Sequence, residues 1–385
     1  MKFTVTKNEL LKKLTPAMGS VATKDTVPSI EGVLLETMNN GTVQITTYNM
    51  NRGFRSFVPA EEIEREGKYI INAQRLYQTI RVLPDDDITF DINDKLNCTI
   101  SSGRSVFNMS ASKGADFPNI PDLVTEKGFT VGASNLHKMI SKVSHSIAVA
   151  DNRPMLCGAY FKVSENGLEV VSCDSFRLSR CTMKCEISSF SADEAKGFSF
   201  IIPGTSLVEM SKVLADGEDE KVKIYLSRKH AILNKDDVIF FTRLTDTEYI
   251  DYQRIIPKDN DICVSVDRER LLSGLERANI IAEEKIQGSG RSYVKLAVDS
   301  HYLDLTSISV NGGVNDEMDC VHEGGPIEIG FNCRYLIDAV KAAEGESILM
   351  KFKTASSPVT IEPLEKQEDF DYFYMVLPVR MNDGR

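Results

Sequence analysis

The chain has 385 residues, of which 42% are hydrophobic, 8% aromatic and 26% charged, and its net charge is −11. Its length indicates roughly two to three domains at about 150 residues each. The composition excludes collagen-like, disordered and membrane classes and is typical of a soluble globular protein. Neither an N-terminal apolar signal segment nor a run of about 18 apolar residues is present, so we expect a cytoplasmic protein with no membrane partner.

Three segments of the chain open in the same way. They read FTVTKNELLKKL from Phe3, FTVGASNLHKMI from Phe129 and VSVDRERLLSGL from Val264. Each combines a β-type run, polar residues that suit a helix N-cap, and apolar residues at helical spacing. Pro16 should kink the first of these helices or end it early.

A second helical pattern follows about seventy residues later in each segment. It starts at Ile71, Ile202 and Phe331, places Leu76, Leu207 and Leu336 at equivalent positions, and runs into an acidic turn and a strand. Alternating β-type runs lie between the helices. The period of about 120 to 135 residues predicts tandem α+β domains rather than a solenoid. We expect three domains, covering residues 1–124, 129–257 and 262–385.

Positive charge is concentrated in the helical stretches. The six stretches together carry +7, which leaves −18 for the strands, turns and loops of a chain whose net charge is −11. A Lys/Arg excess on helices is usually only a solvated face. Here it recurs at equivalent places in tandem units, which favours one basic surface built from helices.

Helix dimensions test whether such a surface could line a hole. Packed helices lie about 9 Å apart and are about 10 Å thick. Six helices would therefore close a ring with only about 7 Å free, whereas twelve helices from two chains would leave about 24 Å. Duplex DNA is roughly 20 Å across, given its groove depths. Two chains could encircle DNA, but one could not.

Several motifs along the chain resemble the bacterial β sliding clamps, the processivity factors of DNA polymerase III. The motifs are the opening MKFTV, SGRS at Ser102, DFPN at Asp116, CDSFRL at Cys173, IDYQRIIP at Ile250, IGFN and RYLIDAV around Phe331, and YMVLPVR at Tyr374. The resemblance implies an α+β fold of three tandem DNA-clamp domains, each with two helices packed on antiparallel sheets. It also implies a head-to-tail homodimeric ring with twelve helices facing double-stranded DNA.

The resemblance also implies where DNA and the second chain would bind. Lys24, Arg81 and Lys212 match basic positions that approach the DNA backbone, where weak and sequence-independent attraction would allow sliding. Phe107 and Met109 on one side of the dimer joint, with Ile280 and Ile281 on the other, match the family's apolar contact. The two ends of a three-domain chain are different surfaces, which can close after two copies.

A cleft for partner peptides is the second site that the resemblance implies. Short motifs of the replicative polymerase, the clamp loader, repair polymerases and mismatch-repair proteins would bind there, with aliphatic side chains supplying apolar contact. Ordinary core is the alternative interpretation of these aliphatic residues. The cleft residues are Leu156, Cys173, Ser175, Phe176, Arg177, Leu178, Ile250, Arg254, Ile255, Asn332, Tyr335, Ser356, Leu377, Pro378, Val379 and Arg380.

Three features depart from the family pattern at this cleft. Ser175 and Phe176 stand where Gly-His is common, and Cys173 stands where Thr or Ala is usual. Residues 381–385, which read MNDGR, extend past Arg380. We expect these differences to change which peptides are preferred.

Motifs for catalysis and for metal binding are absent from the sequence. It contains no GxxxxGK[ST], HExxH or GxSxG, its five histidines are isolated, and its eight cysteines form no CxxC pair. We therefore expect no cofactor, no metal and no enzymatic activity. One alternative is a cytosolic metal-dependent hydrolase of repeated α+β domains, which would carry extra Asp, Glu or His in one repeat. A structural scaffold without DNA is the other alternative.

Overall fold

The computed structural model describes most of the chain. The described residues are 1–23, 27–84, 86–121, 123, 127–165, 167–184, 188–189, 197–215, 220–283, 293–309, 311–365 and 368–381.

Six α-helices lie within the described residues. They are α1 (Lys7–Ala17), α2 (Ala73–Val82), α3 (Ala133–Val143), α4 (Gly204–Leu214), α5 (Arg268–Ala282) and α6 (Cys333–Ala342). Polar residues begin several of them, as the sequence predicts: the side chains of Thr6, Asn72 and Asp267 accept hydrogen bonds from the first turns of α1, α2 and α5. Pro16 lies inside α1, which ends one residue later and continues as a short 3₁₀ turn.

Twenty-six strands are assigned in the same residues. They are β1 (Lys2–Thr6), β2 (Gly32–Thr37), β3 (Thr42–Tyr48), β4 (Arg52–Pro59), β5 (Glu62–Arg65), β6 (Lys68–Asn72), β7 (Asp87–Ile92), β8 (Asn97–Ser102), β9 (Ser105–Lys113), β10 (Lys127–Gly132), β11 (Gly158–Ser164), β12 (Gly167–Cys173), β13 (Arg177–Met183), β14 (Ser188–Ser189), β15 (Phe198–Pro203), β16 (Lys221–Leu226), β17 (His230–Lys235), β18 (Val238–Arg243), β19 (Ile262–Asp267), β20 (Val294–Asp299), β21 (Tyr302–Ile308), β22 (Gly313–Glu323), β23 (Ile327–Phe331), β24 (Ser347–Phe352), β25 (Val359–Pro363) and β26 (Phe370–Val376).

The chain divides into two compact units. Unit 1 comprises Met1–His137, Ile187–Ala195 and Thr205–Leu244, and unit 2 comprises Lys138–Glu186, Lys196–Gly204 and Thr245–Arg385. Unit 1 contains a 14-stranded sheet in the order β14-β10-β16-β17-β18-β4-β3-β2-β6-β9-β8-β7-β1-β5. Unit 2 contains a 12-stranded sheet in the order β15-β11-β12-β13-β26-β25-β24-β19-β22-β21-β20-β23.

Both sheets continue across the domain limits that the sequence predicts. In unit 1, β18 pairs with β4, so that Ile239 lies opposite Arg55. In unit 2, β13 pairs with β26, so that Arg177 lies opposite Val376. Because strands from neighbouring repeats share one sheet, compactness alone does not separate the repeats. The limits 1–124, 129–257 and 262–385 stay a prediction.

Apolar faces of the helices and strands form the cores. Leu76, Leu207 and Leu336, which the repeats place at equivalent positions, are all buried. In unit 1, the rings of Phe3 and Phe90 stack with centroids 4.8 Å apart. All strand pairs in the described part of the chain are antiparallel. Helices packed on antiparallel sheets confirm the α+β class. None of the described helices is long and apolar enough to cross a membrane.

Candidate functional site

A tight turn between β12 and β13 presents Phe176 to solvent. One Asp174 oxygen, Oδ1, accepts hydrogen bonds from the backbone N–H groups of Phe176 (2.9 Å) and Arg177 (3.0 Å). Ser175 has a φ of +80°, in the left-handed region that non-glycine residues rarely adopt. The Asp174 bonds fix this turn, and the Phe176 side chain is left 57% exposed.

The Arg177 guanidinium lies between carboxylates and aromatic rings in unit 2. Its Nε is 2.9 Å from Asp174 Oδ2, and its Nη1 is 2.6 Å from Asp338 Oδ2. Its central carbon lies 4.4 Å from the centroid of the Tyr335 ring, which also stacks on Phe176 at 6.2 Å. Two carboxylates already neutralise this cation. Arg177 therefore holds the Tyr335 ring in place more than it offers an unpaired charge.

A strand-like segment after β26 runs beside this cluster. The Leu377 N–H donates to the Phe176 carbonyl at 2.9 Å, and the Val379 N–H donates to the Gly330 carbonyl at 2.8 Å. Leu377, Pro378 and Val379 are half-buried there, and Arg380 is exposed. The structure thus brings Phe176, Arg177, Tyr335 and residues 377–379 together.

Three of the expected cleft residues lie beneath the surface instead. Leu156, Cys173 and Leu178 are buried in one apolar cluster, and Ile250 packs against it with partial exposure. The alternative of ordinary core is therefore correct for these three side chains. Burial raises the pKa of the Cys173 thiol, which keeps it protonated. Ile255, in contrast, is exposed at 45%.

The remaining expected cleft residues make local contacts. Asn332 Oδ1 accepts from the Arg334 N–H at 3.1 Å and so begins α6, which carries Tyr335. Arg254 is exposed and pairs with Asp251 at 2.7 Å. Ser356 is exposed near Thr354, with 3.3 Å between their hydroxyl oxygens. Of the C-terminal extension, Met381 lies over Gly330, and residues 382–385 are outside the described residues.

A largely buried histidine, His145, lies next to Arg177. Burial, together with the nearby Arg177 charge, lowers the pKa of His145 to about 4. Its Nε2 is 3.0 Å from Ser179 Oγ, which is 2.6 Å from Ser146 Oγ. The ring is therefore neutral at pH 7. Sequence reasoning treated this histidine only as isolated, because its burial depends on strands distant in the chain.

Two of the three expected DNA-contacting residues can be located. Arg81, in the last turn of α2, is exposed, and its guanidinium lies 5.6 Å from the Tyr77 ring. Lys212, on α4, is exposed and pairs with Glu209 at 2.9 Å. Lys24 lies outside the described residues.

The expected dimer contacts lie beside open strand edges. Phe107 and Met109 are on β9. One edge of this strand pairs with β8 along Ser105–Ser110, whereas its other edge pairs with β6 only from Ala111 onward. On β22, residues 313–319 pair with β21, whereas only Cys320–Glu323 pair with β19. Among the described strands, each therefore has one unpaired stretch of edge. Ile280, on α5, is 72% exposed and Ile281 is half-buried.

The open edges of β9 and β22 were missed by sequence reasoning. Alternating apolar residues predict a strand but do not show which of its two edges finds a partner. The sequence carries no signal for these edges, because the run of exposed residues on β9 is visible only in the structure.

No described group of three or more His, Cys, Asp or Glu side chains is arranged to hold a metal ion. The expectation of no metal rested on the absence of metal-binding motifs from the sequence. The structure adds no candidate metal site within the described residues.

Comparison with known proteins identifies the family. Models of the DNA polymerase III beta subunit match residues 1–121 (N-terminal domain), 130–251 (central domain) and 253–380 (C-terminal domain). The beta sliding clamp of Bacillus subtilis is 26% identical over 391 residues, covering 99% of this chain and all of that protein. The clamp of Staphylococcus aureus is 24% identical, with 99% of each chain covered.

Solved structures agree with the sequence comparisons. The DNA polymerase III beta subunit of Thermotoga maritima matches with a TM-score of 0.89 and 29% identity, over 99% of this chain and all of that one. A Pseudomonas aeruginosa sliding clamp bound to griselimycin matches with a TM-score of 0.89 and 25% identity over the same shares. The resemblance seen in the sequence is confirmed, and the hydrolase alternative gains no support. With all three domain models matched in tandem, this chain belongs to the DNA polymerase III beta subunit family, the beta sliding clamps.

Proposed function

We propose that two copies of this chain close into a ring around duplex DNA and hold the replicative polymerase on it. The observation that carries this proposal is the tandem match of three clamp domains across nearly the whole chain. Because the ring encloses the DNA, the protein stays on it without tight contacts. The chain acts without catalysis or a cofactor, in the cytoplasm, and an ATP-driven clamp loader opens and closes the ring.

Helices that carry basic residues supply weak attraction for the phosphates. Arg81 is exposed, whereas Lys212 is paired with Glu209 in the free protein. Because the Lys212 side chain is 60% exposed, a phosphate can approach it without displacing the Glu209 carboxylate. Lys24 is assigned to the same surface from the family resemblance alone. This lining would attract any duplex without reading its bases.

The second chain joins through the open edges of β9 and β22. Pairing of two exposed edges supplies main-chain hydrogen bonds, and it removes an aggregation hazard from both. Phe107 and Met109 would then meet Ile280 and Ile281 of the partner copy in an apolar contact. Since the two edges differ, the association is head-to-tail and closes with two copies.

Partner proteins bind the cleft formed by Phe176, Arg177, Tyr335 and residues 377–379. Peptide motifs of the replicative polymerase, the clamp loader, repair polymerases and mismatch-repair proteins are the expected ligands. The Phe176 ring, at the position where Gly-His is common in the family, stacks on Tyr335. An incoming apolar side chain must pack against this ring or displace it, which makes Phe176 the residue that sets peptide preference.

Primer extension tests the proposal. A polymerase and clamp loader from the same source are given one binding event on primed DNA, with and without this chain, and product lengths are measured. We expect products at least tenfold longer with the chain and ATP. The Leu377→Asp variant, with its cleft blocked, should lose this effect. Equal product lengths with and without the chain would contradict the proposal.

A further inference from the structure

The turn that presents Phe176 in unit 2 has a counterpart in unit 1, between β3 and β4. Asn49 Oδ1 accepts hydrogen bonds from the backbone N–H groups of Asn51 (3.2 Å) and Arg52 (2.9 Å). Met50 has a φ of +69°, where the unit 2 turn has a residue at +80°. The two turns therefore share their hydrogen bonds and their left-handed residue.

The strand beside each turn corresponds as well. The Arg243 N–H donates to the Asn51 carbonyl at 2.8 Å, just after β18 begins to leave β4. In unit 2, the Leu377 N–H donates to the Phe176 carbonyl at 2.9 Å. Arg243 therefore stands in unit 1 where Leu377 stands in unit 2.

The order of the strands places a further turn next to this one. Unit 1 has the run β10-β16-β17-β18-β4, and unit 2 has the matching run β19-β24-β25-β26-β13. The turn between β16 and β17, residues 227–230, thus stands where unit 2 has the turn that carries the expected cleft residue Ser356. The Leu244 N–H donates to the Lys229 carbonyl at 2.8 Å. This turn therefore lies against the segment that contains Arg243.

Buried rings fill unit 1 beneath these turns. The Phe241 ring covers Gly53, which lies opposite it on β4. Tyr48 packs against Phe241 with ring centroids 5.7 Å apart, and both rings are buried. In unit 2, the corresponding strands place Leu178 opposite Met375. The space under the unit 1 turns is therefore full, and a partner can contact only their surface.

That surface is basic and carries one exposed apolar side chain. Arg228, Lys229 and Arg243 are exposed, and none of the three forms an ion pair with a carboxylate among the described residues. Burial, together with the charges of Arg243 and Lys229, lowers the pKa of His230, which lies opposite Arg243. Met50 is 52% exposed. We refer to Met50, Arg228, Lys229 and Arg243 as the basic turn surface.

We propose that the basic turn surface is a second docking site, which binds an acidic segment of a partner protein and packs an aliphatic side chain of that segment against Met50. It uses the backbone frame of the peptide cleft, but basic side chains stand where the cleft has Leu377 and Ser356. Uncompensated cations select an acidic ligand by electrostatic complementarity, and a flexible thioether suits apolar contact.

A protein segment is assigned in preference to a nucleic acid. Neither Tyr48 nor Phe241, the rings beneath this surface, is exposed for a base to stack on. Met50 in turn offers an apolar contact that a phosphate backbone does not use. A Lys/Arg excess alone would indicate only a solvated face, and the exposed Met50 on the frame of the cleft is what favours docking.

Fluorescence anisotropy tests the proposal with two labelled probes, Ser-Asp-Leu-Glu-Glu amide and Ser-Asn-Leu-Gln-Gln amide, titrated with the full chain at low salt. We expect the acidic probe to bind at least tenfold more tightly than the neutral probe. Replacing Lys229 and Arg243 together by Gln should weaken the acidic probe at least fivefold. Replacing Lys221 and Lys223 by Gln removes the same charge from exposed sites on β16, and it should leave the affinity within twofold. All four side chains are exposed, so both double variants should fold.

Two single variants distinguish this surface from general charge attraction and from the cleft. Met50→Ser should weaken the acidic probe at least threefold, and Leu377→Asp, which blocks the cleft in unit 2, should leave its affinity unchanged. Equal affinity for the two probes, equal losses in the two double variants, full affinity in Met50→Ser or loss of binding in Leu377→Asp would each overturn the proposal. Displacement by a duplex oligonucleotide at lower concentration than by the unlabelled acidic probe would also overturn it.

Discussion

Leu377 offers a direct way to test the peptide cleft, because its main-chain position does not depend on its side chain. The Leu377 N–H donates to the Phe176 carbonyl at 2.9 Å, and this bond is retained when the residue is replaced by Asp. The side chain is half-buried beside exposed Phe176. Leu377→Asp thus places a carboxylate where an aliphatic side chain of the peptide would pack.

The expected loss follows from burial. Burying a leucine completely contributes about 1.5–3 kcal/mol, so the part of Leu377 that is still exposed, at most about a third, contributes about 0.5–1 kcal/mol when a peptide covers it. Leaving a polar group desolvated and unpaired adds about 1–3 kcal/mol. Together these effects amount to about 1.5–4 kcal/mol, which weakens the Kd roughly 10- to 700-fold.

Titration of a labelled polymerase-derived peptide, followed by anisotropy, measures this loss. Leu364→Asp is the matched control, since Leu364 is exposed and lies outside the expected cleft residues; its affinity should stay within twofold of the wild type. Unfolding curves show whether both variants are folded. A folded Leu377→Asp protein with wild-type affinity would refute the assignment of the cleft.

Three further predictions concern the dimer, the buried histidine and the DNA surface. Replacing Ile280 and Ile281 by Asp should yield monomers in sedimentation, because it puts charge into an apolar joint; intact dimers would refute the joint. The pKa of His145 is lowered from 6.5 to about 4. The stability that depends on the neutral ring is therefore fully present above pH 6.5 and is lost as the pH falls from 6.5 toward 4. From pH 7 to pH 5, the free energy of unfolding should fall about 2 kcal/mol more in the wild type than in His145→Gln, and equal falls in urea titrations would contradict a neutral buried ring. Arg81→Glu should weaken DNA binding and lower the slope of log affinity against log salt by about 1; an unchanged slope would remove Arg81 from the DNA surface.

Periodicity in the sequence predicted the helices closely. The apolar spacing in each repeat indicated six helical stretches, and α1 to α6 lie within a few residues of them. Leu76, Leu207 and Leu336 were placed at equivalent positions by the repeats, and all three are buried. Local patterns suffice here because a helix buries one face, and the spacing of its apolar residues shows which face that is.

Contacts between distant strands could not be predicted in the same way. The apolar side chains of Leu156, Cys173 and Leu178 would suit either a surface cleft or a core. They belong to the core because Tyr252, Phe373 and Met375 pack against them. This outcome depends on tertiary packing that no single stretch of sequence specifies. The pairing of Lys212 with Glu209 is different, because the two residues stand three apart on α4 and helical spacing alone makes them neighbours.

Retention on circular DNA tests the ring most directly. The chain is loaded onto nicked circular duplex by a clamp loader and ATP, washed at high salt, and then exposed to an enzyme that cuts the circle once. Because enclosure does not depend on charge, we expect the protein to stay on the intact circle through the wash and to leave within minutes of the cut. Release by salt from the intact circle, or equal retention on cut and uncut DNA, would contradict a closed ring.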